Sequence, residues 1–461
     1  MSYEAAVARM YALGHELTHT PSHKFDLAHM RVLLSALNHP ETQFPAVLIA
    51  GTNGKGSTAA TLASILRASG LRTGLYTSPH LVRINERIRI DQHKISDDDF
   101  ALFHDLVDRT AERLVEDGEL PWHPSFFEML TAIAFEYFAQ NKVEIAVLEV
   151  GMGGCLDATN VVEPRLSVIT DISLDHQKFL GNTVVEIARE KAGIIRRGGV
   201  VVTLPQQPQA NDVIGNTILE LDAHAVSAVT YVPPVSPAST EYLVPSAQTR
   251  PLTAAENAAW CGPVSRYPLQ VMGQEIAVET RLVGRHQLRN VALAIAAAEE
   301  LSKQGFAITA AAIEQGIREA RWPGRFQVIP VRGAAPEYVL DVAHNPAGAW
   351  ALRSALSNFY ENRPLTFVFG AMRDKAIGEI AEILFPLAER VIVAPADNPR
   401  SATADEIRKA AARTSTYIED ADCVASALRR ANASAGPAGV VVVTGSIYIV
   451  GEAMRELGVR V

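Results

Sequence analysis

Short apolar segments alternate with helical stretches along this chain, and that alternation limits its fold more than any other feature. AVLIA (46–50), VEIAVLEV (143–150) and GVVVTL (199–204) are typical of buried strands, as are LTFVFGA (365–371) and VVVVTGS (440–446) near the end of the chain. Buried strands separated by helices indicate a mostly parallel sheet with helices on both faces. The sequence therefore predicts an α/β protein.

The alternation occurs in two separate runs, which predicts two domains. A chain of 461 residues is too long for one ordinary hydrophobic core. Because RWPGRF (321–326) carries Pro and Gly as a linker does, we predict a larger domain at 1–321 and a smaller Rossmann-like α/β domain at 322–461. Residues 205–280 are rich in Pro, Gln, Ser and Thr, and we expect an irregular or β-rich insertion there.

The composition excludes several kinds of protein. Hydrophobic residues make up 48% of the chain and charged residues 20%, which is the balance of a soluble globular protein. The net charge of −9 contains no basic block, so a nucleic-acid partner is not expected. The N-terminal MSYEAAVARMYALG predicts an amphipathic helix, not a signal peptide or membrane span. Cys155, Cys261 and Cys423 have no paired or metal-ligand spacing, which indicates a reducing, cytoplasmic location.

The segment LIAGTNGKGS (48–57) is similar to a phosphate-binding loop but departs from the standard pattern at two positions. That pattern has Gly where this chain has Ile49, and Ser or Thr where it has Gly56. A buried strand precedes the segment and an Ala-rich helical stretch follows it, as such a loop requires. We therefore predict an N-terminal P-loop ATPase domain, with a glycine-rich turn that binds no ligand as the alternative. The predicted loop residues are Gly51, Thr52, Asn53, Gly54, Lys55, Gly56, Ser57 and Thr58.

These residue types suit a nucleoside triphosphate. The glycines let backbone N–H groups turn toward one centre, and the start of the following helix adds partial positive charge. Lys55 can reach the β- and γ-phosphates, and Ser57 or Thr58 can offer a hydroxyl to Mg²⁺.

Polar residues follow several of the predicted strands. Ligands of open parallel sheets bind beyond the carboxyl ends of the strands, and this chain places Ser78, Glu149 and His176 there. Glu149 is the strongest candidate for a Mg²⁺ ligand, because a hard cation takes oxygen ligands. A lone His in this position is more often structural, but His176 gains weight beside the other two. Spacing alone predicts that Lys191 is an exposed helix lysine.

Taken together, the motifs resemble those of the folylpolyglutamate synthase and dihydrofolate synthase family, within the Mur-ligase superfamily. The matches run in order from about residue 24 to the end of the chain. They include GTNGKGS (51–57), LEVGMGGCLDATN (148–160), GRHQLRN (284–290), RWPGRF (321–326), LDVAHNP (340–346) and TGSIYIVGE (444–452).

This resemblance implies an ATP-dependent carbon–nitrogen ligase. Members of the family join the carboxylate of dihydropteroate or of a folate to the amine of L-glutamate, through an acyl phosphate. The implied cofactors are ATP and Mg²⁺, with two metal positions and room for a monovalent cation. The implied partners are small molecules only, and the implied state is a monomer. Whether one or both of the two activities are present stays open.

The resemblance also implies roles for individual residues. The lysine that matches Lys191 is often carbamylated in the family, which makes it an anionic metal ligand and opposes the expectation from spacing. The implied catalytic residues are Lys55, Glu149, His176 and Lys191. The implied metal ligands are Ser57, Ser78, Glu149, His176 and Lys191, with Asn290, Arg325 and Asp341 on the nucleotide. The implied substrate contacts are Asp157, Ala158, His344 and Ser446, with the pterin also near HKFDLAHM (23–30).

Cys155 is the position that departs from the family pattern. Members of the family commonly have Arg at this position. The difference leaves the identity of the pterin substrate open, but it does not affect the expected ligase chemistry. Because Cys155 has no base partner in the sequence, we expect that it is not a nucleophile.

The alternative functions are another Mur-type ligase acting on a cell-wall precursor, a P-loop kinase or GTPase, and a non-catalytic nucleotide-binding regulator. The regulator is disfavoured because Lys55, Glu149 and His176 are all retained.

Overall fold

The computed structural model describes residues 1–14, 27–234, 241–243, 262–329, 335–414, 416–459 and 461. The chain forms two compact units, each built from more than one stretch of sequence. The first unit comprises Met1–Pro233, Pro268–Val278 and Arg289–Ala320, and the second comprises Pro234–Tyr267, Glu279–Leu288 and Arg321–Val461.

The strands of the described residues form three sheets. They are β1 (Ala46–Ala50), β2 (Thr73–Tyr76), β3 (Ile88–Ile90), β4 (His93–Lys94), β5 (Ile145–Glu149), β6 (Pro164–Ile169), β7 (Val200–Thr203), β8 (His224–Ser227), β9 (Glu241–Leu243), β10 (Val264–Val271), β11 (Gln274–Thr280), β12 (Gln327–Ile329), β13 (Glu337–Leu340), β14 (Leu365–Phe369), β15 (Arg390–Val393), β16 (Ile418–Asp420) and β17 (Val440–Thr444).

Helices occupy much of the rest of the described chain. They are α1 (Tyr3–Ala12), α2 (Leu27–Ala36), α3 (Lys55–Ala68), α4 (Asp97–Glu116), α5 (Phe126–Gln140), α6 (Gln177–Leu180), α7 (Val184–Ala192), α8 (Pro208–Glu220), α9 (Arg285–Lys303), α10 (Ala310–Glu319), α11 (Pro346–Tyr360), α12 (Ile377–Leu384), α13 (Ala404–Ala410), α14 (Val424–Ala435) and α15 (Ile447–Glu456). Among the described residues, none of these helices has the length and apolar character that crossing a membrane would need.

An eight-stranded sheet in the first unit has the order β4-β3-β2-β5-β1-β6-β7-β8. The six strands β2, β5, β1, β6, β7 and β8 run parallel, and β3 and β4 form an antiparallel edge. Every residue of β1 and β5 is buried, as in parallel strands covered on both faces. Because β1, β5 and β6 are neighbours, the residues that follow them meet at one edge of the sheet.

Helix α3, which follows β1, is fixed by close packing against α10. Gly316 makes this approach possible, since a Cβ there would lie 2.3 Å from the Cα of Ile65. An ion pair between Arg67 and Glu319 joins the same two helices. The loop between β1 and α3 is therefore held at both ends by buried elements.

A six-stranded sheet in the second unit has the order β12-β13-β17-β14-β15-β16. The strands from β13 to β16 run parallel, and β12 is an antiparallel edge. The predicted α/β class, with a mostly parallel sheet in each part of the chain, is confirmed. A third sheet has the order β11-β10-β9.

The expectation of an irregular or β-rich insertion at residues 205–280 was wrong over its first part. Residues Pro208–Glu220 form a helix whose Ala210 and Ile214 are buried, and β8 extends the eight-stranded sheet. Pro at the first helical position is favourable because its missing N–H would have no partner there. Residues 235–240 and 244–261 of this segment lie outside the described part.

Helix α4 buries a histidine that has no hydrogen-bond partner among the described residues. His104 is fully buried, and neither of its ring nitrogens bonds to any residue in that part of the chain. Burial lowers the pKa of this imidazole, opposed by Asp108 and Asp105 and reinforced by Arg9 and His123. The unfolded chain, whose histidine keeps an ordinary pKa of about 6.5, binds the proton first as the pH falls. His104 therefore removes stability as the pH falls below that value.

We expect His104→Leu to stabilise the protein. The change removes two buried nitrogens that have no hydrogen bonds and replaces the imidazole with an apolar side chain of similar size. The free energy of unfolding should therefore rise by about 1–2 kcal/mol at pH 7.5. The gain should be larger at pH 5.5, and urea melts at both pH values measure it. His93, which is exposed, gives the control His93→Leu. A stability for His104→Leu equal to or below that of the wild type would contradict this account.

Candidate active site

Two glycines shape the loop between β1 and α3. Gly51 has φ of +154° and Gly54 has φ of +89°, a conformation that side chains other than Gly rarely adopt. A Cβ at Gly51 would lie 1.8 Å from Thr170 Oγ1, and one at Gly54 would lie 2.2 Å from Asn290 Oδ1. The structure thus places the amide of Asn290 directly against the loop.

Two lysines converge on one carbonyl oxygen at the start of this loop. The Lys55 Nζ donates to Gly51 O at 3.1 Å and to Thr52 O at 3.3 Å. The Lys191 Nζ donates to the same Gly51 O at 2.8 Å. Burial, and then the nearby Lys55 charge, lower the pKa of Lys191 to about 7. Both lysine amines are therefore held against the loop at the carboxyl end of β1.

The prediction from spacing that Lys191 is exposed was wrong. Its exposed fraction is 4%, because the segment after β5 covers the helix that carries it. Within that segment, a Cβ at Gly154 would lie 2.5 Å from Glu190 O, and the Cys155 N–H donates to the same oxygen at 2.9 Å. The buried face of α7 is therefore set by a loop distant in sequence.

The hydroxyl residues of the loop occupy the first turn of α3. Ser57 and Thr58 are both buried, and within the described part of the chain Thr58 Oγ1 has no hydrogen-bond partner. The side chains of Thr52 and Asn53 bond instead to Ser173, with Thr52 Oγ1 donating to Ser173 O at 3.0 Å and Asn53 Nδ2 to Ser173 Oγ at 2.9 Å. Thr52 and Asn53 thus hold the loop in place.

The ends of β2 and β5 bring two of the predicted residues together. Glu149, with an exposed fraction of 4%, accepts the Ser78 N–H on Oε2 at 3.1 Å. His176 lies in the loop after β6, where it is the N-cap residue of α6 and has φ of +50°. Its N–H donates to Asp175 Oδ1 at 2.8 Å.

The loop after β5 is organised around Asp157. Its carboxylate accepts the N–H groups of Met152 and Thr159, both at 3.0 Å, and the Thr159 hydroxyl at 2.6 Å. Burial raises the pKa of this carboxyl, and these hydrogen bonds oppose the shift. Ala158 is buried beside it. Cys155 is an exposed residue, but partial burial of its thiol group, and then the nearby Glu190, raise the pKa of the thiol. A raised pKa leaves less of the nucleophilic thiolate at neutral pH.

In the second unit, polar residues follow β13 and β17. Asp341 accepts the Phe326 N–H at 2.8 Å and the Ala343 N–H at 2.9 Å, and burial raises its pKa against the opposing Arg325 charge. His344 Nδ1 lies 2.9 Å from Val342 O.

Two further observations in that unit concern a helix cap and a residue not singled out from sequence. Ser446 Oγ accepts the Ile449 N–H at 3.2 Å and so caps α15. Burial, and then Arg325, lower the pKa of His286 to about 4. The sequence signal for His286 was its place in GRHQLRN.

Comparisons with known proteins decide the family. Residues 324–447 match the family model described as Mur ligase, glutamate ligase domain. The dihydrofolate synthase/folylpolyglutamate synthase of Bacillus subtilis (strain 168) is 35% identical over 436 residues, which cover 94% of each chain. The chain belongs to the folylpolyglutamate synthase/dihydrofolate synthase family. The predicted family and the predicted class of enzyme, an ATP-dependent glutamate ligase, are confirmed.

Solved structures of this family have the same fold. The Mycobacterium tuberculosis folylpolyglutamate synthase complexed with ADP and AMPPCP is 29% identical, with a TM-score of 0.82 over 99% of each chain. A folylpolyglutamate synthase complex with AMPPCP and folate is 30% identical, with a TM-score of 0.78 over 99% of this chain and 100% of the other. Both of these related synthases therefore bind nucleotides, and the second also binds folate.

The donor groups present suit Mg²⁺. Within the described ranges, no three His, Cys, Asp or Glu side chains are grouped to hold a metal ion. Mg²⁺ commonly takes one or two carboxylates and completes its shell with phosphate oxygens and water. The buried Glu149 carboxylate and the unpartnered Thr58 hydroxyl fit that pattern.

Proposed function

We propose that this chain forms an amide between L-glutamate and dihydropteroate, a (poly)glutamylated tetrahydrofolate, or both, by way of an acyl phosphate. The observation that carries the proposal is the convergence of Lys55 and Lys191 on Gly51 O beside the glycine-shaped loop. A carboxylate is a poor electrophile, and its phosphorylation by ATP supplies a leaving group that the glutamate amine can displace.

The loop residues 51–58 would hold the phosphates of ATP. The N–H groups at the start of α3 and the Lys55 ammonium would stabilise the charge that develops during phosphoryl transfer. Asn290, packed against Gly54, would contact the adenine. Arg325 and Asp341 would contact the phosphates and the ribose.

Ser57 or Thr58, Ser78, Glu149 and His176 would hold Mg²⁺ at two positions, and a carbamylated Lys191 would add an anionic oxygen. When bound, the metal ions neutralise phosphate charge and orient the oxygens of the triphosphate. The Ser78 N–H to Glu149 bond would keep the carboxylate fixed in the direction of that site. A monovalent cation could occupy a further position.

The acceptor and glutamate contacts are also proposals. Asp157 would act by shaping the loop that receives the pterin, since its own carboxylate is engaged within that loop, and Ala158 would line it. His344 and Ser446 would lie near the incoming glutamate. A relative solved with AMPPCP and folate supports a folate as the class of acceptor. We further propose that the protein acts in the cytoplasm as a monomer, without nucleic-acid or membrane partners.

Glutamate-dependent release of ADP from Mg-ATP tests the function. The purified protein would be assayed with dihydropteroate and, in parallel, with tetrahydrofolate, each with and without L-glutamate. Release with both acceptors would show two activities, and release with one would identify the single activity. Release with neither would reject the proposal and favour the Mur-type ligase of cell-wall precursors.

A further inference from the structure

We propose that Gln206 is a positioning residue for the phosphate loop, acting through residues 170–173. Its carboxamide holds one side of that segment, and the other side of the segment holds the backbone of Thr52 and Asn53. The functional part of this inference rests on the proposed ATP site, but the nucleotide-binding part can be tested without turnover.

The first step is the contact between Gln206 and the segment. The Ile172 N–H donates to Gln206 Oε1 at 3.0 Å, and Gln206 Nε2 donates to Thr170 O at 3.0 Å. The orientation of the amide is fixed, because a backbone N–H can only donate and a carbonyl can only accept. Strand pairing between β6 and β7 ends at Ile169 and Thr203. The carboxamide therefore satisfies the next backbone groups, which would otherwise lack a strand partner.

The second step is the contact between the segment and the loop. Asp171 O accepts the Thr52 N–H at 2.7 Å and the Asn53 N–H at 3.3 Å. The Ser173 N–H donates to Thr52 Oγ1 at 3.1 Å. Bonds to the loop thus come from residues 171 and 173, and bonds to Gln206 from residues 170 and 172. Thr170 bonds on both sides of the segment, because its N–H also donates to Ala50 O at 2.8 Å, directly before the loop.

The third step is the rigidity of Gln206 itself. Its N–H donates to Asn211 Oδ1 at 2.9 Å, and its carbonyl accepts from Asn211 Nδ2 at 3.1 Å. Asn211 belongs to the helix Pro208–Glu220. A chain of hydrogen bonds therefore runs from that helix through Gln206 and residues 170–173 to the loop. Gly51 lies against Thr170 at the same place, so a shift of the segment would move the loop.

Gln206→Met tests the inference, because methionine keeps the length of the side chain and removes both hydrogen bonds. We expect AMPPCP to bind about tenfold more weakly by calorimetry, and the KM for ATP to rise while the KM for glutamate stays unchanged. Gln207→Met is the matched control, since Gln207 is exposed and its side chain makes no cap hydrogen bond with the helix. That variant should bind AMPPCP as the wild type does.

Gln206→Glu provides a second variant with nearly the same shape. Its carboxylate can still accept the Ile172 N–H, but it places an oxygen against Thr170 O, so we expect a loss of AMPPCP affinity at least as large. Wild-type affinity in both Gln206 variants would overturn the inference. So would a joint rise of both KM values with a fall in Tm, which a purely structural role would produce.

The proposed function and this inference can fail separately. A wild-type protein that binds AMPPCP but releases no ADP with either acceptor would reject the folate ligase, while the Gln206 variants would still be compared by AMPPCP affinity. A wild-type protein that does not bind AMPPCP would overturn both.

Discussion

Glu149→Gln should lower glutamate-dependent ADP release by about a thousandfold, a loss typical of removing a charge-stabilising group from an active site. The change keeps the shape of the side chain, and the amide oxygen can still accept the Ser78 N–H that Glu149 accepts at 3.1 Å. What disappears is the negative charge offered to Mg²⁺. Steady-state kinetics with saturating acceptor, together with thermal melts, would measure the effect.

The residue that precedes β5 supplies a control for this prediction. Glu144 is exposed just before the start of β5 and accepts the Arg72 N–H at 2.7 Å, so Glu144→Gln removes a charge far from the carboxyl end of the strand. Its activity should equal that of the wild type. Ordinary activity in Glu149→Gln, with Glu144→Gln also active, would refute the proposed metal ligand.

The strand, loop and helix that form the predicted phosphate site could be predicted from sequence, because the residues that determine them are adjacent in the chain. The apolar run 46–50 is the observed β1, with all five residues buried. The glycines that follow are required by positive φ at Gly51 and Gly54, and sequence shows such a requirement directly. A strand, a strained turn and a helix in immediate succession leave few alternatives.

The surroundings of the loop could not be predicted because they depend on residues distant in sequence. The burial of Lys191 depends on the close approach of Gly154 to Glu190 O. The spacing of residues along the helix cannot predict that contact. Gln206 stands among Pro and Gln residues that indicated an irregular segment. Its partners, Thr170 and Ile172, lie 36 and 34 positions away.

The role of a polar residue that directly follows a strand is ambiguous from sequence, because such a residue can bind a ligand or cap the next helix. Ser446 follows β17, as a ligand-binding residue would, but its hydroxyl caps α15, and Asn345 caps α11 in the same way. Helix capping and ligand binding favour the same residue types at the same position. The family resemblance therefore carries the proposed role of Ser446, and its role in binding glutamate stays a prediction.

Lys191→Ala should reduce activity by about a hundredfold or more, because it removes a group from the centre of a charge-stabilising site. With its pKa lowered to about 7 by burial and by Lys55, the amine is largely neutral at pH 8. A neutral amine can combine with CO₂ to give a carbamate and a proton. In enzyme depleted of CO₂, recovery of activity on adding bicarbonate should therefore become more complete as the pH rises through 7.

The alanine variant leaves a space beside Gly51 O, so short carboxylic acids such as formate or acetate should restore part of its activity by replacing the carbamate oxygens. Lys191→Met fills that space with an apolar chain of similar length and should be inactive with or without added acid. Full activity of Lys191→Ala without acid would refute a role for Lys191. Low activity that no acid restores in either variant would favour a lysine acting as the buried cation that donates to Gly51 O at 2.8 Å, because an added anion cannot replace a positive charge.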